Sequence, residues 1–272
     1  MNTAYDDYLD LMDKSHDEKS FISSMSYLSL STMTIISQLN GEIDISLLNR
    51  LFKTPSYPLC ALIPAKDHHE YELTARGKKK KSFYNQTTIR YKDHTTKSIK
   101  VFSNGRLQIT GITSITEACT TSKIVCDIIN AIPTCSKRTI SLQDVSIAMI
   151  NTNFSYNCGI DIITLQSLLK YDENITVSFD PDRYPGLNIK HKNSDGTKTS
   201  VLFFGTGNVV ITGVKSFRGI LEAFTTVSKI VRENLESLKT GLKVIKKIKC
   251  SDAMSYSNGY EKRNLRCVGS MC

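Results

Sequence analysis

The chain has no Cys-x-x-Cys pair, no apolar run of 18 or more residues and no glycine-rich phosphate loop. Each absence removes a class of protein. Eight cysteines are present, but none has the spacing of a zinc site. Cys60, Cys119, Cys126, Cys135 and Cys158 sit in or beside apolar patterns, as small core residues do, and Cys250, Cys267 and Cys272 lie in a polar tail. Without a long apolar run no helix is expected to cross a membrane. Nothing at the N-terminus reads as a signal peptide, so an intracellular chain with reduced thiols is expected. There are no clustered carboxylates, no nucleophile elbow and no metal-ligand spacing, which argues against an enzyme and against a cofactor. His68-His69 beside Asp67 and Glu70 is the one suggestive cluster, and it reads as a solvated loop.

Charge, by contrast, is plentiful and positive in balance. The net charge is +9 over 272 residues, with a pI of about 9.1 and a hydrophobic fraction of 40% that can support a real core. A basic chain suits an acidic partner, of which nucleic acid is the commonest, since Lys and Arg release counterions from phosphates. Solubility alone is the competing explanation. The charge is uneven: Asp6, Asp7, Asp10, Asp13, Asp17 and Glu18 face only Lys14 and Lys19 near the start. Positive runs lie at Lys78 to Lys81 and at Lys243, Lys246, Lys247 and Lys249. This pattern predicts a mobile or partly helical acidic arm over residues 1–27 and a basic tail over 241–272.

Between those ends the sequence repeats itself. Val101-Phe102-Ser103-Asn104-Gly105-Arg106-Leu107-Gln108-Ile109-Thr110-Gly111 returns as Phe203-Phe204-Gly205-Thr206-Gly207-Asn208-Val209-Val210-Ile211-Thr212-Gly213. Each copy reads as strand, Gly turn, strand, then helix. Glu117-Ala118-Cys119-Thr120-Thr121 echoes Glu222-Ala223-Phe224-Thr225-Thr226 in those helices. A period of this length is too long for a solenoid and indicates two tandem half-domains, 28–138 and 139–240. In the first, the pattern predicts a strand from Leu28 to Gln38, a helix from Asp44 to Phe52 and strands from Phe83 to Tyr91, Lys97 to Phe102 and Arg106 to Thr110. A helix from Ser114 to Ala131 completes it. In the second it predicts a strand from Val145 to Tyr156, a helix from Asp161 to Leu169 and a loop around Asp180 to Gly186. Strands at Leu187 to Lys192, Thr199 to Phe204 and Val209 to Thr212 follow, then a helix from Ser216 to Leu238. The two Asp-Ile helices lie 117 residues apart and the two Gly turns 102 apart, so the difference of 15 places an insertion in the first half, near residues 54–82. The expected class is α+β. Two such halves joined edge to edge would make a curved antiparallel sheet with both long helices on one face and the other face bare.

Two motifs carry a family resemblance. Asp182-Arg183-Tyr184-Pro185-Gly186-Leu187 is similar to the Glu-Leu-Phe-Pro-Gly-Leu of TATA-box-binding proteins. Gly207-Asn208-Val209-Val210-Ile211-Thr212-Gly213-Val214-Lys215 is similar to that family's Gly-Lys-Val-Val-Leu-Thr-Gly-Ala-Lys. The resemblance covers roughly residues 28–238 and, with its insertion, is closer to the divergent members in large DNA viruses. It implies a pseudo-twofold saddle with its two long helices on the convex face. It also implies seating on the minor groove with apolar wedges between base steps, which in that family is known to kink DNA by about 80°.

The resemblance maps wedges onto Phe102, Phe204 and Tyr184, with Tyr84 or Phe83 as the fourth. The alternative for the phenylalanines is a place in the core. Alternation along the strands puts Gln108 with Thr110, and Val210 with Thr212, on the groove side. Phosphate partners are expected at Arg90, Arg106, Lys190 and Lys215, with solvated surface charge as the alternative. The family's base-reading Asn positions fall on Thr32 and Met149, and Asn151, two residues on, is the candidate substitute. Asn208 and Thr113 replace two basic contacts, which puts a strict TATA preference in doubt.

The implied partners are A·T-rich double-stranded promoter DNA, a transcription factor IIB-like protein and RNA polymerase. The implied place of action is the nucleus or a cytoplasmic viral factory of an infected cell, with virion packaging as a further setting. The alternative function is a protein-interaction scaffold that has lost specific DNA binding, its acidic arm acting as a DNA mimic.

Overall fold

The structure is a computed structural model that describes residues 3–52, 86–92 and 95–240. The expected insertion near 54–82, the lysine run at Lys78 to Lys81, His68 and His69, Phe83, Tyr84 and the tail 241–272 lie outside the described residues. In chain order the elements are α1 (Thr3–Phe21), β1 (Ser29–Leu39), α2 (Ile45–Phe52), β2 (Gln86–Lys92), β3 (Thr96–Phe102), β4 (Arg106–Ile112) and α3 (Ile115–Ala131). They continue as β5 (Leu142–Ser155), β6 (Gly159–Ile160), α4 (Ile162–Leu169), β7 (Ile175–Asp180), β8 (Tyr184–Lys192), β9 (Lys198–Phe204) and β10 (Asn208–Val214). The last are α5 (Phe217–Glu233), α6 (Leu235–Leu238) and β11 (Lys239–Thr240). The mixed helix and antiparallel strand content is the α+β class that the sequence implies.

Two compact units form, one from residues 32–148 and one from residues 3–31 with 149–240. In the first, the strands run β2-β3-β4-β1, all antiparallel. Ile35, Ile89, Ile99, Val101, Leu107 and Ile109 are buried on one face with Ala118, Val125, Ile128 and Ile129 of α3. Ser114 begins α3 by accepting a hydrogen bond from the Glu117 N–H, which satisfies one of the free donors of the first turn. In the second unit the order is β5-β10-β9-β8-β7, again antiparallel. Phe154, Leu187, Ile189, Val201, Phe203, Val209 and Ile211 are buried with Ile220, Ala223, Phe224, Val227 and Val231 of α5. Ser216 caps α5 as Ser114 caps α3.

Two glycine turns hold the hairpins. Gly105 and Gly207 have φ of 77° and 81°, the region that costs a residue with a Cβ most. A Cβ would also meet the carbonyl oxygen of Gly41 at 2.3 Å in the first turn and that of Cys158 at 2.3 Å in the second. Both backbone strain and close approach therefore require glycine at these two positions.

The structure departs from the sequence expectations in four places. Residues 3–21, expected as a mobile or partly helical arm, form a full 19-residue helix packed on α5. Leu11, Ser15 and Glu18 are fully buried there, Tyr8 meets Phe217 edge-on at 5.1 Å, and the Leu28 N–H donates to Ser15 Oγ at 2.8 Å. A strand outside the expected set, β7, precedes the expected loop, and β8 begins at Tyr184 rather than at Leu187. The last helix stops at Asn234, whose amide N–H turns back to the Val231 carbonyl, and a separate short turn carries the chain to Leu238. The helix echo is also out of register. The matching caps Ser114 and Ser216 align Glu117 with Gly219, so the Glu-Ala-x-Thr-Thr motifs lie a turn apart in the two units.

Register exposes a further contrast. Ser37 and Ser122 face each other in the core of the first unit, Oγ to Oγ at 2.8 Å, and Ser122 donates onward to the Ala118 carbonyl. The corresponding positions of the second unit hold Phe154 and Phe224, edge-to-face at 5.1 Å.

The docking of α1 rests on one buried carboxylate. Glu18 is 0% exposed and pairs with Arg232 Nη1 at 2.7 Å and Lys14 Nζ at 3.6 Å, while its Oε2 has no partner. Arg232 also stacks over Phe21 at 4.8 Å. Removing one partner of a buried pair leaves an uncompensated charge. Arg232→Ala should therefore lower stability by about 2–3 kcal/mol, less than the roughly 3–5 kcal/mol of a fully buried pair because Arg232 is partly exposed and Lys14 remains. Glu18→Leu combined with Arg232→Met should recover most of that loss, as thermal denaturation would show.

Candidate nucleic-acid interface

In both units the face opposite the long helix is polar and half-exposed, and the expected site residues gather on it. Strand alternation puts Ser98, Lys100 and Phe102 of β3 on that face, and Ile99 and Val101 on the buried one. On β4, Arg106, Gln108 and Thr110 share it. Arg90 of β2 is exposed there, directly opposite Ser98. In the second unit Phe204 and Leu202 of β9, and Val210 and Thr212 of β10, are half-buried on the equivalent face, with Ser200 more closely covered. Phe102 and Phe204 are thus outside the core, whose aromatic members in the second unit are Phe154, Tyr156, Phe203, Phe217 and Phe224.

The cross-strand pairs form matching polar rows. One runs Arg90, Ser98, Thr110, Thr34 in the first unit. Its counterpart runs Lys190, Ser200, Thr212 in the second. Asn151 completes the second row, because the Thr212 hydroxyl donates to Asn151 Oδ1. Lys190 Nζ donates to Ser200 Oγ at 2.6 Å, which holds the ammonium over the row. Asn151, the expected substitute for the missing base-reading Asn, therefore stands on the helix-free face, fixed by a neighbour.

The two expected losses of basic contacts have a local cause. Thr113 gives both its N–H, at 2.9 Å, and its hydroxyl, at 3.3 Å, to Glu117 Oε2. Glu117 in turn binds the buried Lys97 at 2.7 Å. That position is committed to holding the start of α3. At the equivalent place in the second unit Lys215 is exposed just ahead of Ser216. Conversely Arg106 is exposed in the first unit where the second has Asn208, whose amide donates to Thr206 Oγ1 at 3.1 Å. Each unit keeps one of the two basic positions.

The aromatic pair at the end of the β8–β9 hairpin is the most distinctive feature. Tyr184 is 44% exposed, and its ring meets Phe204 edge-on with centroids 5.8 Å apart. Gly186 lies opposite Phe204 in register and makes the pair possible. A Cβ there would stand 2.8 Å from Tyr184 Cε1 and 3.0 Å from Phe204 Cε1. The Pro-Gly of the motif thus clears space for two rings to stand together at the edge of the sheet.

Residues 144–234 match the family model described as Transcription factor TFIID (or TATA-binding protein, TBP). The chain is TBP-like. It is 27% identical to the TATA-box-binding protein-like chain of Acanthamoeba polyphaga mimivirus, a match covering 82% of this chain and 71% of that one. It is 41% identical to the TATA-box-binding protein of Pyrodictium occultum, over 21% of this chain and 26% of that one. Among solved structures it resembles Methanococcus jannaschii TBP with a TM-score of 0.50 at 18% identity, covering 76% of this chain and 99% of that chain. The resemblance expected from the two motifs therefore holds, and the family it points to consists of transcription factors, not enzymes. Among the described residues no group of His, Cys, Asp and Glu could hold a metal ion, and no helix is long and apolar enough to cross a membrane.

Two neighbours of the site escaped the sequence reading. Lys100 and Leu202 occupy equivalent places on the helix-free faces, two residues before Phe102 and Phe204. The alternation that placed Gln108 beside Thr110 would have found them. Asn153 also stands exposed on β5, paired in register with Val210 and accepting from Ser29 Oγ at 2.6 Å.

Proposed function

We propose that this TBP-like chain is a transcription initiation factor that binds the minor groove of A·T-rich promoter DNA and bends it. The observation that carries this reading is the Tyr184–Phe204 pair, two rings standing at the edge of a polar, helix-free sheet face. Buried aromatics would serve the core. Rings held half-exposed beside small polar rows suit insertion at a base step, where stacking offsets the cost of unstacking. Tyr84 and Phe102 would do the same for the first repeat. Gln108, Thr110, Val210, Thr212 and Asn151 would line the groove floor, and Arg90, Arg106, Lys190 and Lys215 would meet phosphates. On this reading the bent promoter recruits a transcription factor IIB-like protein and RNA polymerase. The relative in a large DNA virus supports action in an infected cell, in its nucleus or a cytoplasmic viral factory.

The packing of α1 on α5 weakens the scaffold alternative. Helix α1 packs on α5, which covers the face of the second unit's sheet opposite Tyr184 and Phe204, and its Glu18 is taken up by Arg232, which disfavours an acidic arm laid on the helix-free face.

Titration of an A·T-rich duplex at increasing salt tests the proposal. Four phosphate contacts give a slope of log K against log salt of roughly −3 to −4, at about −0.9 per phosphate. A minor-groove-binding drug should compete. A flat salt response, or binding untouched by the drug, would overturn the proposal.

A further inference from the structure

The two helix-free faces are alike in their outer polar rows and unlike in the row beside them. In the first unit that inner row runs Thr88, Lys100, Gln108, Ile36. In the second it runs Asn188, Leu202, Val210, Asn153. The two central places therefore carry a cation and an amide in one repeat and two aliphatic side chains in the other. Lys100 and Gln108 are both half-buried and stand directly opposite each other on neighbouring strands.

We infer that Lys100, with Gln108 beside it, makes the first repeat the hydrogen-bonding reader of A·T steps and fixes the direction in which the chain sits on DNA. The inference rests on the DNA-binding reading above. An ammonium has three donors and no acceptor. The minor-groove floor at A·T and T·A steps shows only acceptors, adenine N3 and thymine O2, whereas a G·C pair adds the guanine amino donor. Lys100 matches the first and meets a like group in the second. The narrow groove of A·T tracts also has enhanced negative potential, which favours a cation placed in it. Leu202 and Val210 have no hydrogen-bonding capacity, so at these two central places the second repeat meets the groove by shape alone. A duplex with A·T steps in one half-site and G·C steps in the other thus has two unequal orientations. The favoured one puts the first repeat on the A·T half.

The test uses the full chain with a dye on its N-terminus and duplexes carrying the acceptor dye at one end or the other. The wild type should show a roughly fivefold to tenfold orientation preference, the factor that one good base-edge contact supplies. Lys100→Leu should bring that ratio close to unity and make the salt slope shallower by about one. Leu202→Lys should also erase the preference, by making the repeats alike, while making the slope steeper. Both substitutions are on a half-exposed face, and an unchanged denaturation midpoint would confirm that each variant is folded. If the wild type binds and bends DNA but Lys100→Leu keeps both the preference and the slope, the assignment of Lys100 is wrong. If the wild type binds no duplex at low salt, the DNA-binding reading itself fails and this inference with it.

Discussion

Replacing both Tyr184 and Phe204 by Ala should leave a folded chain that binds A·T-rich duplex at least a hundredfold more weakly and no longer bends it. Folding survives because neither ring is in the core: Tyr184 is 44% exposed and Phe204 is half-buried on the helix-free face. Each ring stacked on a base contributes about 1–3 kcal/mol by alanine substitution, so the pair together supplies about 2–6 kcal/mol. That gain offsets the few kcal/mol needed to unstack a step. Without the rings the bend has no compensation, and the remaining affinity is that of the basic side chains on undistorted DNA. The residual binding should be more, not less, dominated by salt. Fluorescence anisotropy for affinity and gel mobility of permuted duplexes for bending would measure both. A double variant that bends DNA as well as the wild type would show that these rings are not wedges.

Phe224→Ala is the largest expected loss of stability, about 3–5 kcal/mol. Phe224 is fully buried and contacts Phe154 edge-on at 5.1 Å, in the layer where α5 meets the sheet. Truncating it removes apolar burial and opens a cavity that Phe154 cannot fill alone. At about 2–4 °C per kcal/mol for a chain of this size, the denaturation midpoint should fall by roughly 10 °C. The equivalent positions of the first unit give the opposite result. Ser37→Ala with Ser122→Ala removes both hydroxyls of a buried pair and should change stability by about 1 kcal/mol or less, because no polar group is left unsatisfied. Equal losses at the two places would contradict the register that relates the units.

Much of this fold was legible because the repeat allowed each half to be read against the other. Asn104-Gly105 and Thr206-Gly207 marked hairpins, since only glycine suits those turns. Ser114, Asp161 and Ser216 marked helix starts, and all three cap the helices that follow them. Helix α1 was legible only as one of two alternatives, and its docking was not legible at all. Its inner stripe includes Ser15 and Glu18, polar residues that break the apolar pattern and find partners outside the helix in Leu28 and Arg232. Strand β7 carried a period-two signal in Ile175, Val177 and Phe179, but the turn residues just after it dominated the reading. The register slip in the helix motifs has a similar origin. Glu222 resembles Glu117 in sequence, yet it accepts from Ser194 in the β8–β9 turn and from Arg218 in its own helix, where Glu117 accepts from Thr113 ahead of the helix cap.

For the candidate site, alternation placed the expected residues together on the helix-free face but did not show how the two faces differ. The sequence motifs drew attention to the residues that the two repeats share, such as Thr110 and Thr212. Lys100 was passed over because a lysine in a basic chain is unremarkable until its strand neighbours are known. The family model covers residues 144–234, the half that keeps Tyr184-Pro185-Gly186 and Lys215, which fits a second repeat closer to the family than the first.

The central claim is that the helix-free faces grip and bend DNA. Its most direct test is energy transfer between dyes on the two ends of a short A·T-rich duplex, measured as the full chain is added at low salt. Bending brings the ends together, so transfer should rise with saturable binding and fall back as salt is raised. Binding without any change in transfer, or no binding at all, would contradict it.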